Sequence, residues 1–449
     1  MPSHIIDSLI FKDLYGTDEL RRVFSDENLL QCWLDVEAAL ARAEAQVGLI
    51  PAEAAAEISR KARVELLDIE AIRQGITTTT HELVPLVRQL AALCEGEAGR
   101  YVHWGATTQD ITDTGLMLQV KAAHAIILGD LRCLAEALQS LARRERDTIM
   151  PGRTHGQHTP PITFGFKVAI WLAEVRRHID RLEESAPRIL VGQLAGAAGT
   201  LASLGQPGLE IQRLMLADLG LGAPEIGWHP ARDRLAEFGS ILALVAATMS
   251  KMAHEVILLQ KSEVAELEEP YQHGKVGSST MPHKRNPMIC EGIMAEARLV
   301  RGVLDSLLLA MESEHERDWG AVHLEWAGVP EAAILAGGAV AHTLRVITGL
   351  HVDRNRMRSN VDMLHGLSLS EAVMLELGVH LGRQAAHDVV YEASMAAYEQ
   401  ARPLRELLME DSRVTAHLSA AKVDELLRPE RYTGLCGEFV DRVAGRDEG

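Results

Sequence analysis

Aromatic residues make up only 4% of the 449-residue chain. Cysteines are few as well: Cys32, Cys94, Cys133, Cys290 and Cys436 are scattered, odd in number and show no C-x-x-C spacing. That argues against a disulfide framework and a zinc site, and it points to a reduced, cytoplasmic protein. Strand-like alternation is scarce, so a β-rich fold is not expected. No uninterrupted apolar stretch reaches about 18 residues, and no membrane span is expected. The opening residues MPSHIIDSLIFKDLYG lack a basic region followed by an apolar run, and no signal peptide is read there. Positive charge is in deficit, with 45 Lys and Arg against 63 Asp and Glu, a net charge of −18. Nucleic acid is therefore not expected as a partner, whereas a small anionic substrate is compatible, because local cations in a pocket outweigh the global sign.

Hydrophobic residues reach 47%, and strong helix formers (Ala, Leu, Glu, Arg) dominate, so the fold class expected is all-α. Residues 27–47 carry Leu30, Leu34, Val36, Ala39, Leu40 and Ala43 at helical spacing, with Ser25-Asp26 as a cap and Gly48 as a stop. From Asp113 to Asp147 there is no proline, and Val120, Ala123, Ile127, Leu131, Leu134, Leu138 and Leu141 recur every 3.5 residues or so. Residues 234–266, 163–189, 288–313 and 328–350 read as four more long helices. A helix of 30 residues spans about 45 Å and, when apolar on more than one side, buries several faces against neighbours. A long-helix bundle is the natural solution. Three regions follow: 1–105, a small helical region; 106–350, the long-helix core; and 351–449, a region of shorter helices.

Breaker-rich segments interrupt this pattern at 75–82, 101–115, 151–165 and 268–287. The last holds Gly277-Ser278-Ser279-Thr280-Met281-Pro282-His283-Lys284-Arg285-Asn286, with Glu291 five residues on. A serine hydroxyl is a poor base unless its alkoxide is stabilised by backbone N–H groups, a cation or a helix N-terminus. Lys284 and a helix starting near Asn286-Pro287 meet that need for Ser278. His155, in Arg153-Thr154-His155-Gly156-Gln157-His158, and His81, after a run of threonines, suit proton donation near neutral pH. Such a histidine needs a partner to hold its tautomer, and Glu291 is the candidate. His155-x-x-His158 lacks a third metal ligand at helical spacing, so no metal is assigned. Gly105-Ala106-Thr107-Thr108-Gln109-Asp110 offers hydroxyls and amides before a long helix, a suitable carboxylate cradle.

Together these loops resemble the fumarase/aspartase superfamily over nearly the whole chain, in the family's order. Arg232-Asp233-Arg234, the GSSTMPHKRNP loop and His315-Glu316-Arg317 resemble both adenylosuccinate lyase and 3-carboxy-cis,cis-muconate lactonizing enzyme. Phe24-Ser25-Asp26, Gly196-Ala197-Ala198-Gly199-Thr200-Leu201 and His323-Leu324-Glu325-Trp326 are more similar to the muconate enzyme. Arg153-Thr154-His155-Gly156-Gln157-His158 and Thr80-His81-Glu82 look like adenylosuccinate lyase. Trp326 stands where that lyase carries an arginine for its nucleotide, so AMP chemistry is not assigned.

The resemblance implies a homotetramer with a twenty-helix core and active sites shared by three subunits. It implies anti β-elimination from a di- or tricarboxylate substrate without a cofactor. Ser278 would be the base, Lys284 and Asn286 with the loop amides would stabilise an aci-carboxylate, and Ser279 would bind the substrate. His155, oriented by Glu291, would protonate the leaving group, while His81, Thr107, Thr108 and Arg317 hold the substrate. An N-substituted aspartate cleaved to fumarate is the substrate expected. The alternatives are lactonization of 3-carboxy-cis,cis-muconate, adenylosuccinate lyase proper and a non-catalytic structural relative.

Overall fold

The computed structural model describes residues 4–271, 278 and 280–445, so Gly277 and Ser279 lie outside the described residues. The chain is all-α apart from short two-residue strands and one hairpin. Its five longest helices are Thr108–Arg144, Phe164–Ile189, Asp233–Gln260, Met288–Leu309 and Trp319–Gly349, all within 106–350. The first begins five residues before the sequence pattern placed it, and the last begins nine before. Pro330 sits inside that last helix, although proline fits a first turn better than an interior, where it removes one backbone hydrogen bond.

Local chemistry explains the boundaries. Ser25 Oγ accepts from Asn28 N at 3.3 Å, and Asp26 and Glu27 occupy the positive first turn of the Asp26–Gln46 helix. Gly48, at φ +75°, takes the left-handed conformation just beyond its end. The Asp233–Gln260 and Trp319–Gly349 helices are long and apolar enough to cross a membrane by length and composition alone. Yet 50% and 67% of their most apolar windows are buried inside the protein, as core helices of a bundle require.

The chain forms two compact units, each discontinuous in sequence: Met1–Leu131, His178–Ser250 and Gly292–Ala341 in the first; Arg132–Arg177, Lys251–Glu291 and His342–Gly449 in the second. In the first unit Leu34, Leu40, Ile58, Leu86, Leu90 and Met215 share one core. A buried ion cluster ties three of its helix starts together. Arg232, 1% exposed, pairs with Asp113 at 2.8 Å and with Glu325, and its guanidinium lies 5.0 Å from the Trp228 ring. Burial pushes the Glu325 carboxyl up to about 7 against the pull of Arg232, with Asp113 adding to burial.

In the second unit Val373, Leu377, Val389, Leu404, Leu408 and Val423 form the core. Its hairpin pairs Ile149–Thr154 with Gln157–Thr163, and the first strand packs on the Arg354–Asp362 helix. The segment 151–165, read as a loop from its prolines and glycines, is thus mostly strand. Proline is tolerated because both strands of a two-stranded sheet are edges.

Candidate active site

In the first unit four of the expected residues come together. The Ile69–Thr79 helix ends at Thr80 in a left-handed conformation, φ +52°, which turns the chain into His81. His81 Nδ1 accepts from Val84 N at 3.4 Å, so the neutral ring carries its proton on Nε2, which lies 3.4 Å from Thr108 Oγ1. Thr108 opens the Thr108–Arg144 helix, and Asp110 in its first turn accepts from Thr107 N at 2.9 Å, half of a capping box. The same buried carboxylate accepts from Ala195 N at 2.8 Å, Gly196 N at 2.9 Å and His229 Nε2 at 2.9 Å. Four donors therefore hold one carboxylate under the Thr107–Thr108 turn.

Gln109 fixes the other side of that turn. Its Nε2 donates to His229 O at 3.1 Å, and its Oε1 accepts from Arg317 Nε at 2.9 Å. Arg317 Nη2 is buried and has no partner among the described residues, which leaves a charged donor available for an anionic group. A second brace is His103, two residues before Gly105. Its Nδ1 meets the fully buried Glu37 carboxylate at 2.6 Å. Burial opposes charge on His103, but Glu37 outweighs it and raises the imidazole's pKa. Sequence reading missed Asp110 and Gln109 as anchors and missed His229 altogether.

The second unit carries the remaining residues. His155 and Gly156, at φ +52° and +75°, are the two central residues of the hairpin turn. Positive φ at both positions is the type I′ pattern, whose twist matches the flanking strands. His155 is exposed at the tip, at the end of a hairpin rather than at a helix start. The hairpin base is anchored by Arg153, whose guanidinium grips the buried Glu266 carboxylate at 2.9 and 2.5 Å, while Asn360 Nδ2 donates to the same group at 2.7 Å.

Ser278 Oγ accepts from Met281 N at 3.0 Å and from Thr280 N at 3.3 Å. Two backbone donors thus converge on the hydroxyl oxygen, the arrangement that lowers the cost of an alkoxide. The expected helix N-terminus supplies no amide to it. The helix starts at Met288, and its Ile289 and Cys290 amides donate to Glu269. Lys284, Asn286 and Glu291 line one open cleft of about 930 Å³ together with Tyr271, His351 and Asp353. Ser278 and His155 are not among its lining residues. Among the described residues Lys284 Nζ has no ion-pair partner, and His155 and Glu291 do not bond to each other. Non-glycine residues at positive φ flank three of these loops, at Thr80, His155 and His315. Such strain persists only where the surroundings impose it, and it occurs as well at Ala265, His365 and Ala401, outside the candidate loops.

A family model described as Lyase matches residues 15–302, and one described as Adenylosuccinate lyase C-terminus matches 366–443. The chain is 44% identical to an N-acetyl-S-(2-succino)cysteine lyase of Dickeya dadantii, over 99% of this chain and 97% of that protein. It is also 44% identical to a 3-carboxy-cis,cis-muconate cycloisomerase of Pseudomonas aeruginosa, over 97% and 95%. Among solved structures, fumarate lyase from Mesorhizobium sp. BNC1 superposes with a TM-score of 0.91 at 42% identity, covering 96% of this chain and 98% of that one. The 3-carboxy-cis,cis-muconate lactonizing enzyme from Pseudomonas putida gives 0.92 at 40%, covering 98% of each. The match spans both units and every candidate loop, and the chain is an enzyme of the fumarase/aspartase superfamily.

Proposed function

We propose that this enzyme is a cofactor-free lyase that eliminates a leaving group from a succinyl adduct to give fumarate. The observation that carries the proposal is the pair of backbone N–H groups on Ser278 Oγ, from Thr280 and Met281. As alkoxide, Ser278 removes the proton from the carbon beside a carboxylate. The electron pair moves into that carboxylate to form an aci-carboxylate dianion, which Lys284, Asn286 and the loop amides stabilise. Collapse of the dianion breaks the bond to the leaving heteroatom, and His155 protonates that atom. His81, Thr107, Thr108 and Arg317 hold the second carboxylate. The substrate's own carboxylate is the electron sink, so the chemistry calls for no cofactor.

The expected substrate, an N-substituted aspartate, is joined by a sulfur counterpart. A relative 44% identical over nearly the full length is named for a thioether of succinate, so an S-(2-succinyl) thiol adduct is the first substrate to test. His155 and Glu291 are proposed to meet across subunits of a cytoplasmic homotetramer. Lactonization of 3-carboxy-cis,cis-muconate is the second reading, favoured by the 44% identity to a cycloisomerase. Against it stand His155 and Glu291, both present, which suit proton delivery to a leaving group. Adenylosuccinate is disfavoured because Trp319, His323 and Trp326 form an aromatic cluster, 5.3 to 6.4 Å between rings, where a nucleotide phosphate would call for a cation.

The test is absorbance of fumarate with N-acetyl-S-(2-succino)cysteine, N-substituted aspartates, adenylosuccinate and 3-carboxy-cis,cis-muconate. Fumarate from a succinyl adduct, lost by at least about a thousandfold in Ser278→Ala, is the result expected. Full turnover by Ser278→Ala would remove that residue as the base.

A further inference from the structure

One side chain, Gln260, joins the two ends of the segment 268–287. At the last position of the Asp233–Gln260 helix, its Oε1 accepts from Glu269 N at 3.0 Å and its Nε2 donates to Arg285 O at 2.9 Å. Glu269, only 3% exposed, then reaches across to the start of the next helix, where its carboxylate accepts from Ile289 N and Cys290 N, each at 3.1 Å. Arg285 closes the same base from outside, donating to Glu268 at 2.8 Å and lying 4.3 Å over the Tyr271 ring. Chain entering the segment and chain leaving it are thus bonded to the same two side chains.

We infer that Gln260 and Glu269 are positioning residues that hold the base of the loop carrying Ser278, Lys284 and Asn286. The inference rests on the reading that this loop carries the base and the dianion's partners. A loop can deliver a base and a cation to one substrate carbon only if both ends are fixed, since misplacement by about 1 Å costs orders of magnitude in rate. Glu269 does this with a charge-assisted cap at a helix N-terminus, which also keeps those amides from competing for the substrate's carboxylate. Gln260 does it with both ends of one amide, a role neither glutamate nor leucine can fill.

The test is hydrogen exchange, read by mass spectrometry on the full chain, in wild type, Gln260→Ala and Gln260→Glu. In Gln260→Ala, amides over 280–290 are expected to exchange at least about tenfold faster, while those of the hairpin over 149–163 keep their rates. Gln260→Glu retains the acceptor for Glu269 N and loses the donor to Arg285 O, and it falls between. With N-acetyl-S-(2-succino)cysteine as the probe, kcat/KM falls at least about tenfold in Gln260→Ala, mainly through kcat. Unchanged exchange over 280–290 overturns the inference. So does an equal rise over the hairpin, or a loosened loop with kcat/KM within about twofold of wild type. If the wild type releases fumarate from no succinyl adduct, or Ser278→Ala retains full turnover, the elimination reading fails, and the exchange pattern still decides the inference.

Discussion

Asp110 and His229 form a buried pair, carboxylate oxygen to Nε2 at 2.9 Å, directly beneath the Thr107–Thr108 turn. They are 119 residues apart in sequence, yet the pair fixes the turn that carries Thr107 and Thr108. The Asp110 carboxylate is the sole acceptor that gathers Thr107 N, Ala195 N, Gly196 N and His229 Nε2 among the described residues. Asp110→Ala strands these donors in the interior, a loss on the order of 3–5 kcal/mol. Urea midpoints measure it. Asp110→Asn keeps an oxygen and loses less stability, but its amide faces donors, so kcat/KM is expected to fall at least about a hundredfold. Asn with wild-type kinetics would show that the turn needs no carboxylate beneath it.

Glu44 gives stability an unusual dependence on pH. Its side chain is fully buried, and neither carboxyl oxygen has a hydrogen-bond partner among the described residues. Burial, with Glu37 adding to it, pushes its pKa from 4.5 up to about 8. The native state therefore holds a proton that the unfolded chain releases between those values. Stability from this group is full below the unfolded value and is lost as pH rises through about 8. Glu44→Gln is expected to remove that slope and to stabilise the protein at pH 9 by roughly 1–3 kcal/mol. The measurement is the urea midpoint of both proteins at several pH values from 5 to 9. Parallel profiles would mean that the wild-type carboxyl ionises without cost.

Arg153 couples the hairpin to the rest of the second unit. Its planar fork meets both oxygens of Glu266, which is fully buried. Arg153→Lys keeps the charge and loses the fork. A destabilisation of about 1–3 kcal/mol is expected, together with a drop in kcat, because His155 stands two residues along the same strand and turn. Thermal midpoint and kcat measured on one preparation check both halves. A change in stability alone would uncouple the anchor from the histidine.

The five long helices were legible because apolar residues recur near the helical period and proline is nearly absent from them. The hairpin was not, since Pro151, Pro160 and Pro161 with Gly152 and Gly156 read as a loop, and only pairing between the strands makes them strands. Ser278, Lys284, Asn286 and Glu291 were legible as one short pattern. Gln109, His229 and Glu269 were not, because each acts on residues brought near by folding. Gln109 meets Arg317 across 208 positions, a separation no local window reads. The cleft also departs from the local pattern: Lys284, Asn286 and Glu291 line it, whereas Ser278 and His155 do not, although Ser278 Oγ accepts from the lining residue Met281.

That separation leads to a prediction about assembly. Within one chain His155 and Glu291 make no bond, and each is exposed. If elimination uses Ser278 of one subunit and His155 of another, the single variants Ser278→Ala and His155→Ala are each inactive but complement each other. Each variant supplies the residue the other lacks, so a site is intact when two independent positions are both filled correctly. Random mixing in equal amounts restores about a quarter of wild-type sites in a symmetric oligomer. Co-unfolding and refolding the two variants, then measuring fumarate release per subunit, gives the number directly. Recovery near a quarter places the base and the acid on different subunits. No recovery from well-folded mixed oligomers places the base and the acid on one chain.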